Sequence, residues 1–250
     1  LWKYVEDFVE KELNPFVQKL VREKCFSDYS ECLRYSLEYI ADNGLYEAKK
    51  HYGVHKIIAE GPEIVDKIKY SGIELKKGNI PAQVKEFLAD IYSGVLCSDW
   101  TAQEFKKYLD AAYEKFIKLD IDEISFWKGY GTERESVGFL EMAKGTTGIA
   151  KACTFYNQII EQMKLGKKYD QILVGDKVRF CYVEPTNKFG INVLAYKPDQ
   201  YPVEFRDIFK VDYDTMWDKL IISTLKKFFI ATQFPVYDPR EMNIMDVDDL

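Results

Sequence analysis

Apolar side chains recur at helical spacing near the start of the chain, where Val5, Phe8, Val9, Leu13, Phe16, Val17, Leu20 and Val21 form one stripe. A period near 3.6 puts them on one face, so an amphipathic helix is expected, with a kink or break at Asn14-Pro15. Asn43-Gly44 reads as a turn, and the alternation of Tyr46, Ala48, Lys50, Tyr52 and Val54 as a strand after it. A second turn is expected at Glu60-Gly61-Pro62-Glu63 and a second strand from Ile64 to Tyr70.

Beyond Gly72 the period turns helical. Ile80-Pro81 places Pro in a first helical turn, and Val84, Phe87, Leu88, Ile91 and Tyr92 supply the stripe. Thr101 with Glu104 has capping-box spacing and heads a second helix through Phe105, Tyr108, Leu109, Ala112, Phe116 and Ile117. Gly145 to Gly148 opens a third, strands are expected within 172–195, and a last helix runs from Asp212 to Phe229. No internal repeat or long low-complexity segment interrupts this order.

The 250 residues are 47% hydrophobic, enough for a sizeable core in one large domain or two smaller ones. No run reaches the roughly 18 apolar residues that cross a bilayer, and no basic-then-apolar leader opens the chain, so a soluble, intracellular protein with no membrane partner is expected. Leu1 in place of methionine fits a processed product or an excised piece of a longer protein. Cys25, Cys32, Cys97, Cys153 and Cys181 show no CxxC pair and are expected to be reduced and mostly buried. His51 and His55 imitate the spacing of a helical metal pair, but they fall in a strand pattern with no third ligand near, so no metal is assigned to them.

The net charge of −6 argues against indiscriminate coating of DNA, yet Lys49, Lys50, Lys56, Lys67, Lys69, Lys76 and Lys77 fall in one short region. Local charge, not the sum, meets phosphates. On a strand, Lys50 and Tyr52 would share one face and Lys49 and His51 the other, so one face can approach a nucleic-acid groove. The plain alternative is an exposed basic strand with no ligand.

Glu47-Ala48-Lys49-Lys50-His51-Tyr52, then Lys69-Tyr70-Ser71-Gly72 up to Pro81, and a mostly helical remainder resemble the end of the palm and the thumb of a T-even-type bacteriophage family B replicative DNA polymerase. The resemblance spans essentially the whole chain and rests on order and spacing. It implies an α+β fold with part of a palm over 1–72 and a thumb with an acidic C-terminal tail over 73–250. In that family a Lys-Lys-Arg-Tyr or Lys-x-Tyr element holds the duplex minor groove beside the primer end, where acceptors are present in every base pair. His51 stands in the arginine position and lacks the guanidinium fork.

The DNA-binding residues this resemblance implies are Lys49, Lys50, His51, Tyr52, Lys69, Ser71 and Gly72, with Lys144, Thr147 and Lys151 at the helix opened by Gly145-Thr146-Thr147-Gly148. Glycine and threonine there offer free amides and hydroxyls to phosphate oxygens, although an ordinary loop and cap would read the same way. Asp120-Ile121-Asp122-Glu123, Asp212-Tyr213-Asp214 and Asp246-Val247-Asp248-Asp249 have an Asp-x-Asp spacing able to hold Mg2+, but the family's Tyr-x-Asp-Thr-Asp-Ser element is missing. No catalytic residue is therefore assigned. The Mg2+ of a complete polymerase, its catalytic aspartates, its fingers and any exonuclease would come from an upstream segment or another chain.

Asp248, Asp249 and Leu250 resemble the start of the family's sliding-clamp peptide, a solvated acidic tail being the alternative. The implied setting is the cytoplasm of an infected host cell. A stand-alone nucleic-acid-binding module and a phage structural or interaction protein remain open alternatives.

Overall fold

The apolar stripe at the N-terminus forms helix α1 (Trp2–Phe8) and helix α2 (Asn14–Cys25), joined by a π-turn over Val9–Leu13. The path does not break at Asn14-Pro15. Pro15 lies in the first turn of α2, where a missing N–H costs least, and the wider π-turn before it absorbs the irregularity. The structure is a computed structural model; it describes residues 1–26, 30–59 and 63–241 and is mixed helix and sheet, an α+β class. Buried Asn14 ties α2 to the following extended segment, donating to the Tyr35 carbonyl (3.0 Å) and accepting from the Tyr35 amide (2.7 Å).

Strands β1 (Ile40–Ala48), β2 (His51–Ile58) and β3 (Ile64–Ser71) form an antiparallel sheet in that order. Asn43-Gly44 is not a turn but part of β1. The Asn43 amide donates to the Leu96 carbonyl (3.1 Å), a tertiary partner 53 residues away, and Gly44 pairs with Val54. The turn falls instead at Lys49–Lys50, with Ala48 opposite His51 and Lys50 in the left-handed region at φ 64°. The expected strand through Lys50 is thus two strands, and the two lysines do not alternate across sheet faces. Glu60, Gly61 and Pro62 of the second expected turn lie outside the described residues; beside them the Ala59 amide donates to the Glu63 carbonyl (3.0 Å).

One face of this sheet, carrying Leu45, Gly53 and Tyr70, docks on helix α3 (Ala82–Cys97). A Cβ on Gly53 would stand 3.2 Å from Leu96 and 3.4 Å from Tyr92, so glycine permits the close approach. Pro81 stands not in the first turn of α3 but at the N-cap position just before it, extended and without a side-chain cap bond, and Val84, Leu88, Ile91 and Tyr92 of the stripe are buried. Helix α4 (Ala102–Phe116) opens with the expected capping box: the Thr101 hydroxyl accepts from the Glu104 amide (3.3 Å) and the Glu104 carboxylate from the Thr101 amide (2.8 Å).

Helix α5 (Ile121–Ile124) leads to strand β4 (Phe126–Gly129), the small hairpin β5 (Ser136–Gly138) and β6 (Glu141–Met142), and helix α6 (Gly148–Gln162). Strands β7 (Lys177–Tyr182) and β8 (Val193–Tyr196) complete a second antiparallel sheet, β4-β7-β8, against which α6 lies. The last helix comes in three pieces, α7 (Tyr213–Trp217), a π-turn Asp218–Ile222, and α8 (Ser223–Thr232). Its aromatic side chains fill the core: Phe228 stacks on Phe105 with centroids 5.3 Å apart, and Trp217 meets Phe116 edge-on at 5.2 Å. A single apolar cluster runs from Leu45 and Ile73 to Phe229 and binds the first sheet to the helical part. Burial of each such side chain contributes about 1.5–3 kcal/mol.

The cysteines are free, but only Cys153 and Cys181 are buried. Cys25, Cys32 and Cys97 are exposed because the C-terminal ends of α2 and α3 and the segment after α2 face outward. Asp238, after the last helix, is 8% exposed and accepts from the Arg240 guanidinium (2.9 Å), which also pairs with Asp218 and Asp214. Among the described residues no helix is long and apolar enough to cross a membrane.

Candidate nucleic-acid interface

The turn Lys49–Lys50 is anchored from three directions. The Tyr92 hydroxyl of α3 donates to the Glu47 carboxylate just before the turn, and burial raises the Glu47 pKa above the usual carboxylate value. After the turn, the His51 ring Nδ1 lies 3.0 Å from the Lys49 carbonyl, a bond made by its Nδ1–H tautomer. From β3, the Ser71 hydroxyl donates to the Lys50 carbonyl (3.4 Å). Gly72, at φ +65°, comes so close that a Cβ would stand 2.2 Å from that carbonyl oxygen.

The fold therefore brings Lys49, Lys50, His51, Tyr52, Ser71 and Gly72 to one sheet end, although the two segments lie some twenty residues apart in the chain. Lys49 and Lys50 are exposed and have no ion pair among the described residues. Tyr52 lies opposite Ser71 in the register and close to Tyr46, with ring centroids 5.6 Å apart. Tyr39 covers part of the same face, its phenol pushed up to about 12 by burial and by its hydrogen bond with Tyr52. Lys69 is less free. Its ammonium pairs with Glu38 and sits 4.5 Å from the Tyr39 ring centroid, so a phosphate would have to displace Glu38.

Lys144, Thr147 and Lys151 form a second group at the start of α6. Thr147 is the N-cap and accepts from the Ala150 amide (3.5 Å), which employs its hydroxyl in the helix itself. Gly145, at φ +86°, makes the preceding turn, and a Cβ there would meet nothing within 4 Å. Lys144 is exposed in a groove with Arg134, Glu133 and Glu135, so its field is partly offset. Lys151, half-buried in the first turn, adds positive charge to the positive end of the helix dipole.

Between these groups lies a basic and aromatic strand that sequence patterning did not single out. The Trp127 amide of β4 donates to the Asn79 carbonyl (3.1 Å), which joins β4 to the segment leaving the first sheet. Lys128 projects its ammonium 5.3 Å from the Phe180 ring centroid, and a Cβ on Gly148 would stand 3.7 Å from that same ring. Lys128 thus reaches toward the start of α6. The available signal was the Phe126-Trp127-Lys128 and Lys177-Val178-Arg179 alternation, in two short strands far apart in sequence.

His55, on the docked face of β2, is held by two carboxylates, Nδ1 to Asp42 (2.8 Å) and Nε2 to Asp66 (2.7 Å). Its pKa is raised, chiefly by the hydrogen bond to Asp66, against the opposing effect of burial. The acidic clusters serve the helices. Asp120 caps α5 with a capping box to Glu123, Asp122 accepts from the Tyr196 hydroxyl (2.8 Å), and Asp212 caps α7 through the Thr215 amide (2.9 Å). Asp214 accepts from the Tyr113 hydroxyl (2.8 Å). Among the described residues no three His, Cys, Asp or Glu side chains converge as a metal site. Asp246, Asp248, Asp249 and Leu250 lie outside the described residues. Compared with protein-family models and with curated proteins, the chain matches none.

Proposed function

We propose that this chain is the palm edge and thumb of a DNA-directed DNA polymerase, which holds a primer–template duplex by its backbone and minor groove while another segment supplies catalysis. The observation that carries the reading is the Lys49–Lys50 turn locked against Ser71 and Gly72, which presents two ammonium groups, without an ion pair among the described residues, beside Tyr52 at a fixed sheet end. Lysines carried on a fixed backbone at a groove edge bind duplex with little sequence preference, because phosphates and minor-groove acceptors recur at every step. Lys144 and Lys151 extend the grip along the duplex backbone, and Lys69 joins when it leaves Glu38.

Mg2+ chemistry belongs in this reading to the upstream segment with the fingers, the catalytic palm and any exonuclease, since Asp120, Asp122, Asp212 and Asp214 are engaged in caps and tyrosine hydrogen bonds. The same segment is a natural cover for the stripe on α1 and α2, where Tyr4, Phe8, Phe16 and Leu20 are exposed. That exposure favours an assembled polymerase over a stand-alone module. Asp248, Asp249 and Leu250 are the proposed contact with a sliding clamp, and the proposed setting is the infected host's cytoplasm.

Fluorescence anisotropy of a labelled primer–template against a single strand of equal length tests the reading. Tighter binding of the duplex, weakened at least tenfold in Lys49→Ala/Lys50→Ala, is expected. Equal affinity in both proteins would refute it.

A further inference from the structure

Trp127 borders a cleft of about 490 Å3 whose other lining residues are Gly78, Asn79, Lys128, Gly129 and Lys177. Its ring is held in place: Arg179, opposite it on β7, sets its guanidinium 4.6 Å from the ring centroid and is itself 9% exposed. Trp127 nonetheless keeps 38% of its surface open. A Cβ on Gly78 or Gly129 would meet nothing within 4 Å, so the cleft is open beside both glycines. The lining holds two exposed lysines and no carboxylate.

A fixed indole with the exposed Lys177 on its own sheet face, without competing acid in the lining, selects a ligand that is both aromatic and anionic. We propose that this cleft takes one unpaired nucleotide, its base against Trp127 and its phosphate on Lys177, which shares the Trp127 face of the sheet. The volume is within the range of about 300–1,000 Å3 typical of small-ligand sites. Paired bases already stack on one another, so a single tryptophan is useful only to a base outside the duplex. The cleft, reached from the first sheet through Asn79, then reads the unpaired strand while the Lys49–Lys50 turn holds the paired one. This inference rests on the nucleic-acid reading above.

Intrinsic fluorescence tests it directly, because Trp2 and Trp217 are buried and Trp100 half-buried, leaving Trp127 the most exposed indole. The intact chain is titrated with oligothymidylate, with a blunt duplex, and with the same duplex carrying a thymidine overhang, while anisotropy follows binding independently. Quenching by oligothymidylate and by the overhang that disappears in Trp127→Phe is expected. Trp127→Ala should erase an overhang preference of about fivefold or more, from stacking of one base, and Lys177→Ala should weaken oligothymidylate binding and flatten its salt dependence. If the duplex binds through Lys49 and Lys50 but the overhang adds neither quenching nor affinity, the cleft proposal falls and the duplex reading stands. If neither nucleic acid binds, both fall.

Discussion

Replacing Gly72 with alanine probes the contact that fixes the proposed DNA-binding turn. The residue sits at φ +65°, where an alanine costs about 1–2 kcal/mol. The added Cβ would stand 2.2 Å from the Lys50 carbonyl oxygen, whereas real Cβ contacts begin near 3.0 Å, so the turn and the end of β3 must part by about 0.8 Å. The obstacle is backbone, which cannot rotate away, and such overpacking adds about 1–3 kcal/mol. Alanine also restricts the unfolded chain, which returns about 0.4–1 kcal/mol to the folded state. The net loss is about 1–4.6 kcal/mol, or roughly 2–18 °C in the melting temperature of a domain this size. Gly166→Ala is the control, because nothing lies within 4 Å of its Cβ. It should change stability by less than about 0.5 kcal/mol. Thermal and urea melts of the three proteins, followed by circular dichroism, decide the matter. Duplex affinity should fall with Gly72→Ala alone, because Lys49 and Lys50 move with the turn. A Gly72→Ala melt that overlays the wild type would show that the close approach does not exist.

Three further changes have definite expected outcomes. The Tyr156 hydroxyl is buried with no hydrogen-bond partner among the described residues, so Tyr156→Phe should leave stability unchanged or raise it by about 1 kcal/mol in urea titration; a clear loss would mean the hydroxyl is satisfied. His55 has a raised pKa in the folded state, so its clasp with Asp42 and Asp66 contributes fully below the unfolded value of about 6.5 and is lost as pH rises through the folded value. With Asp66 exposed the contribution is at most about 1 kcal/mol, and His55→Gln should flatten the wild type's fall in urea midpoint as pH rises above about 6.5; parallel profiles would count against the clasp. Arg240→Ala leaves Asp238 buried without its guanidinium and should cost about 3 kcal/mol in thermal melts, and a loss under about 0.5 kcal/mol would show the pair to be solvated.

The helical half of the fold was legible because its signals are local. Thr101 and Glu104 announce α4, Pro81 announces α3, and the apolar stripe of α3 buries the residues its period selects. The first sheet was legible in kind but not in register. Asn43-Gly44 has the composition of a turn, yet Asn43 is drawn to the Leu96 carbonyl by packing against α3, and Lys50 takes a left-handed conformation that composition reserves for glycine or asparagine. A tertiary contact overrode local preference at the first position, and the anchors from Tyr92, His51 and Ser71 hold the turn at the second. The proximity of Lys49–Lys50 to Ser71–Gly72 follows from β3 returning beside β2. The Trp127 cleft escaped notice because its walls come from residues 78–79, 127–129 and 177, which only folding assembles.

The salt dependence of primer–template binding addresses the central claim most directly. If Lys49 and Lys50 each neutralise a phosphate, the double alanine variant should lower the magnitude of the slope of log affinity against log salt by about 1.8, at roughly 0.9 per contact, with the wild type's preference for duplex reduced as well. An unchanged slope in the variant, or a wild type that binds no duplex at low salt, would contradict the account.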